Sequence, residues 1–138
     1  MRKISVLIAI VAFFYSCGVK KAILDRPNIS SYTINDENRI TINDSLYFKG
    51  LNSLRKNNYH QWELVAFGNN PLDLGNTIGD LTKELLVKQE KIFLDKVNQI
   101  VPSKFKQYIL RKFLAFYNRK LYLYIKEEYK AEIYGISQ

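Results

Sequence analysis

Cysteine, histidine and tryptophan each occur once in the 138 residues, and 13 acids face 21 lysines and arginines. A single Cys excludes a disulfide within the chain. The only His, His60, stands between Tyr59 and Gln61. It has no metal-ligand spacing around it and reads as a surface or strand-edge residue. No phosphate-cradling loop, zinc cluster or Ser-His-Asp grouping can be assembled, so no catalytic residue, metal or cofactor is expected of this chain. Internal repeats and low-complexity tracts are also lacking. Long apolar runs are limited to one, Ile4 to Tyr15. It is shorter than the roughly 20 residues that a membrane-spanning helix needs.

The length allows one domain at most. Apolar residues make up 47% and aromatics 14%, which excludes a disordered tail and favours a filled core or a stacking surface. The formal charge is +8. Such a balance suits an anionic neighbour, either a lipid surface or nucleic acid. The N-terminus favours the first. Arg2 and Lys3 precede the apolar run, and Ser16, Cys17 and Gly18 close it. This is the layout of a secretory signal, and a small residue before the lone Cys resembles a bacterial lipobox, although Phe14 and Tyr15 are bulkier than its usual residues. The expectation is that residues 1–16 are removed and that Cys17 is lipidated, anchoring an exported chain to the bacterial cell envelope. The competing reading is an ordinary secretory signal with an incidental Cys. The expected partner is thus the membrane, and no nucleic acid. Lys20 and Lys21 would favour anionic headgroups beside the anchor.

Beyond the anchor, residues 17–45 read as a tether, with brief strand potential at Thr33-Ile34 and Ile40-Thr41-Ile42. Asp44 is placed to cap a short helix from Ser45 to about Lys56, with Leu46, Phe48, Leu51 and Leu54 as its apolar side. Tyr59 to Phe67 reads as a strand closed by Gly68-Asn69-Asn70. Pro71 fits the first turn of a helix running to about Ile100, which Val101-Pro102 ends. Ser103 caps a further helix from about Lys104 to Ile125, and a last one covers Glu127 to about Tyr134. Along the Leu72–Ile100 helix, Glu84, Glu90 and Asp95 alternate with lysines as a solvated, ion-paired face. Two readings fit the basic-aromatic helix after Ser103: core packing, which needs fewer assumptions, or rest on a membrane surface.

The order Gln61-Trp62-Glu63-Leu64, Gly68-Asn69-Asn70-Pro71 and Gly75-Asn76-Thr77-Ile78-Gly79 resembles the opening of the autoproteolytic acyltransferases and hydrolases of the N-terminal-nucleophile superfamily. Relatives of that kind include acyl-CoA:6-aminopenicillanate acyltransferase and the phospholipase B-like proteins. The run Leu114-Ala115-Phe116-Tyr117-Asn118-Arg119 and the segment from Glu127 to Ser137 are similar to lipoprotein members of Bacteroidetes-type bacteria. The resemblance covers about residues 59–138. It implies a scaffold role for Gly68, Pro71, Gly75 and Gly79, the two last leaving a bare helix face that a neighbouring element approaches closely. It also implies cleavage or transfer at an amide or ester acyl bond by a nucleophile downstream of the segments seen here. Cys17, followed by Gly18-Val19-Lys20, is a poor candidate for that nucleophile. The expectations that follow are a mainly α fold with one or two short strands over residues 46–138, the incomplete N-terminal portion of an αββα hydrolase. The chain would be a non-catalytic part of a lipid-anchored acyltransferase, with the catalytic portion as a possible missing partner. Tyr134 and Ile136, with no sequence left to cover them, fit that picture. The alternative is a small envelope lipoprotein acting as a binding or structural module.

Overall fold

Two-residue alternation organises the first half of the molecule. The computed structural model describes residues 26–138, and Cys17 with the whole signal segment lies outside them. Strands β1 (Arg39–Asn43), β2 (Leu46–Lys49), β3 (Asn52–Lys56) and β4 (Trp62–Val65) form one antiparallel sheet in the order β1-β2-β3-β4. Helices α1 (Pro71–Ile100), α2 (Lys104–Tyr117) and α3 (Glu127–Ile136) follow, with a 3-10 turn at Leu121–Tyr124 between α2 and α3.

This architecture corrects the mainly α expectation and, with it, the αββα assignment. The segment Ser45–Lys56 is a hairpin and not a helix. Leu46 and Phe48 are two residues apart, a strand spacing, and point away from Tyr47 and Lys49 on the other face. Asp44 caps no helix; with Ser45 it makes the β1–β2 turn, where the Ser45 amide donates to Asn43 Oδ1 at 2.8 Å. Gly50 and Leu51 make the next turn, and Gly50 takes φ +58°, a conformation that interrupts any helix and suits a tight hairpin. The register sets Tyr47 opposite Leu54 and Lys49 opposite Asn52. Strand β1 occupies part of the stretch expected to be a tether. It includes Ile40-Thr41-Ile42, whereas Thr33-Ile34 forms no strand.

Described by contacts, the chain falls into two units: residues 26–90 with 126–138, and residues 91–125. The first holds a small core. Tyr47, Leu54 and Leu81 are buried together, with Trp62 and Leu85 packed at the margin. The Tyr47 and Trp62 rings lie 6.2 Å apart. Burying a Leu side chain contributes about 1.5–3 kcal/mol, so a core this small depends on each member.

Within the same unit α3 lies against the first turns of α1, because both helices present small residues four apart. Gly75 and Gly79 face the backbone of Glu132 and Ile136, and Gly135 faces the backbone of Leu72 and Asn76. Ala131, one turn before Gly135, is fully buried. Tyr134 and Ile136 are thereby half-covered and are not left bare as expected.

Two outcomes are expected. Leu54→Ala or Leu81→Ala should each cost about 2–5 kcal/mol, read as a lower urea midpoint at unchanged slope. Gly75→Ala should destabilise by about 1–3 kcal/mol, although Ala is the better helix former by about 1 kcal/mol, because its methyl would overlap the Glu132 carbonyl. A stabilised Gly75→Ala protein would show that α3 does not approach α1 this closely.

Candidate functional site

The polar side of the sheet–helix contact is built on the inner sheet face and one stripe of α1. Lys49 is 3% exposed, and its ammonium donates to Asn76 Oδ1 at 2.7 Å and to the Asp80 carboxylate. One turn on, Arg39 Nη2 meets Glu84 Oε2 at 2.6 Å, with the guanidinium 4.5 Å over the Tyr47 ring. Asn76, Asp80 and Glu84 are spaced by four, so a single helix face presents all three acceptors. The hydrogen bond from Arg39 holds the Glu84 carboxyl below its ordinary value, against a smaller opposing effect of burial. On the sheet's other face Glu63 is held low by Asn57 and Arg55, its partners at the β3–β4 turn.

The start of α1 is tied down in the same way. Asn70 Oδ1 accepts the Asp73 amide at 3.0 Å, a side-chain cap. Asp73 is 3% exposed, and its carboxylate accepts the amides of Asn69 and Asn35 at 2.9 and 2.8 Å. A carboxylate in the first turn also complements the helix dipole. The Asn70 side chain donates to the Thr33 carbonyl oxygen at 2.7 Å, so the segment before the sheet is fastened to the helix start. Asn52 Oδ1 accepts the Phe67 amide at 2.6 Å. Glu84 on its ion-paired face and Asn69-Asn70 in the turn are legible in the sequence, whereas the bonds that join Lys49, Asp73, Asn76 and Asp80 to their partners are not. The signals present were the Asn70-x-x-Asp73 capping spacing and the alternation that turns Lys49 inward.

The residues singled out from the sequence are distributed as follows. Gly68 precedes α1 at the surface, and a side chain there would run into Leu74; Pro71 is the first residue of α1. Gly75 and Gly79 form the contact with α3. These four therefore belong to packing of the α1 start. His60 sits exposed at the β3–β4 turn with φ +62°. Glu90 and Asp95 are exposed on α1. Among the described residues, no group of three or more His, Cys, Asp or Glu could hold a metal ion.

The unit of residues 91–125 contrasts with the first. Ser103 Oγ accepts the Lys106 amide and caps α2. Gln107, the buried residue of α2, donates to Asn98 Oδ1 at 2.9 Å and the Val101 carbonyl at 2.7 Å, bracing the turn at Pro102. The helix stops at Tyr117 and not at Ile125 as expected, and Arg119 Nη1 donates to the freed Phe116 carbonyl at 2.7 Å. Its apolar side chains stay in solvent: Phe105, Ile109 and Phe113 are 73%, 41% and 52% exposed and, with Leu110 and Lys106, line an open groove of about 410 Å³. The core-packing reading of this helix is thus not the arrangement found.

The polar network should respond asymmetrically. Asp80 keeps 42% of its side chain exposed, whereas Lys49 keeps 4%. Asp80→Ala should cost about 2–4 kcal/mol by leaving a buried ammonium short of its charge partner, and Lys49→Met about 1 kcal/mol or less. Equal losses in chemical denaturation would contradict this. For the Arg39–Glu84 pair, the folded carboxyl is the stronger acid. Its stabilisation is complete above the ordinary glutamate value of 4.5 and disappears as pH falls below it. Glu84 is 57% exposed, so solvent screening limits the effect to about 0.5 kcal/mol. The stability gap between wild type and Glu84→Gln should therefore close on acidification, and a gap that widens at low pH would refute the pairing. Compared with protein families, curated proteins and solved structures, the chain matches none.

Proposed function

We propose that this chain is a small lipid-anchored protein of the bacterial envelope that acts as a binding or structural module. One observation supports this reading above the others. Among the described residues, the buried Lys49, Asp73 and Gln107 are each committed to bonds that hold elements together. The Lys49–Asp80 and Arg39–Glu84 ion pairs beside them bridge the sheet–helix contact. Surface suited to recognition is present instead. Ile40, Ile42 and Val65 are 45–59% exposed on one face of the sheet, and α2 displays its aromatics. None of the described helices is long and apolar enough to cross a membrane. In this reading attachment comes from acyl chains on Cys17, each buried methylene contributing about 0.8 kcal/mol.

The acyltransferase resemblance has lost the fold that it implied. The reading is tested by expressing the full chain in a bacterium and taking the mass of its N-terminal peptide. The expected product begins at Cys17 and carries a diacylglyceryl group, and Cys17→Ser should release the chain from the membrane fraction. An unmodified Cys17, or clear turnover of an acyl amide or ester by the purified protein, would overturn it.

A further inference from the structure

From Lys96 to Lys126 the chain carries eight lysines and arginines and no acid. Over the same stretch several large apolar side chains face outward: Phe105 is 73% exposed, Phe113 52%, Tyr117 74% and Tyr124 82%. Phe105, Ile109 and Phe113 recur every four residues, a single stripe along α2. Lys104, Lys106, Arg111 and Lys112 are exposed on the same helix. Lys106 and Lys112, three residues before and after Ile109, flank the stripe, and their long stems can lie along it while the charges reach outward. The Phe113 and Tyr117 rings stack, and Lys112 lies over Tyr108, so aromatic and cationic groups share this surface. A stripe this apolar and this one-signed fits an interface that is anionic outside and apolar just beneath.

We infer that residues 96–126 dock on an anionic lipid surface, with α2 lying in the plane of the headgroups and Phe105, Ile109 and Phe113 turned into the acyl region. A helix of 14 residues is too short to span a bilayer, which needs about 20, and suits this in-plane placement. A second copy of the chain is the wrong occupant, because each copy would bring eight more cations to the contact. The aromatic hydroxyls of Tyr108, Tyr117 and Tyr124 have both apolar ring and polar tip for the headgroup level. This inference rests on the envelope-lipoprotein reading only in placing a bilayer nearby; the docking itself needs no anchor.

The test separates the two. In the full chain, Cys17→Ser removes the only thiol and any anchor, and Ile109→Cys then accepts a nitroxide label. A second protein carries the label at Leu51, which is 94% exposed on the β2–β3 turn. With vesicles of phosphatidylglycerol and phosphatidylethanolamine, the label at 109 should become accessible to oxygen and shielded from a water-soluble relaxant, while the label at 51 stays aqueous. Lys106→Glu with Lys112→Glu should lower partitioning by about tenfold or more, given roughly 1 kcal/mol per cation near such a surface. The inference is overturned by a label at 109 that stays aqueous on these vesicles. Equal burial on neutral phosphatidylcholine overturns it too, as does burial that grows with protein concentration in the absence of lipid. The N-terminal mass of the wild-type chain reports separately on the anchor.

Discussion

The ammonium of Lys49, buried against Asn76 and Asp80, is the interaction around which the sheet-bearing unit is arranged. A lysine is seldom fully buried unless paired. Meeting its need fixes which face of β2 turns inward, which turn of α1 lies over it, and which residue follows four positions on. Tyr47 then shares that face of β2, beside Leu54 on β3 and Leu81 on α1. Glu84 comes within reach of Arg39. A slip of one residue in β2 would exchange Tyr47 and Lys49 for Leu46 and Phe48. It would strip the ammonium of both partners at once, so polar pairing and apolar packing select the same register.

The helices were more legible in the sequence than the sheet, and the difference has a physical origin. Pro71, Pro102 and Ser103 act locally, through a missing amide hydrogen, a restricted predecessor and a capping hydroxyl. Helix limits at 71, 100 and 104 could therefore be read from neighbouring residues alone. The strands are four or five residues long, and their inward positions include Lys49 and Asn52. Polar residues at inward sites erase the apolar alternation that marks a strand, because the partners that satisfy them, Asp80 and the Phe67 amide, lie elsewhere in the chain. Gly75 and Gly79 were readable as a bare helix face. That Gly135 belongs to the same contact was not, since its position in α3 gains meaning only beside α1.

The two units divide the apolar composition unequally. In the first, Leu54, Leu72, Leu81 and Ala131 are buried. In the second, the internal bonds of Gln107 shape a helical turn, while phenylalanines and tyrosines remain in water. A composition with 14% aromatics is consistent with either a core or a recognition surface. Here much of the aromatic share lies on the surface, in the unit with an unbroken run of positive charge.

The meeting of Gly75 with Glu132 gives the unit a closing element that is remote in sequence. Synthesis delivers the sheet and the start of α1 first, and residues 91–125 must all follow before α3 can seat against them. Until then the glycine face of α1 is open, and the unit is a strand sheet with half its helical cover. The cost of joining the ends of the intervening loop grows only slowly with its length. The delay is therefore set less by entropy than by the rate at which the chain emerges. That interval is when a chaperone has the best access to the bare face of α1.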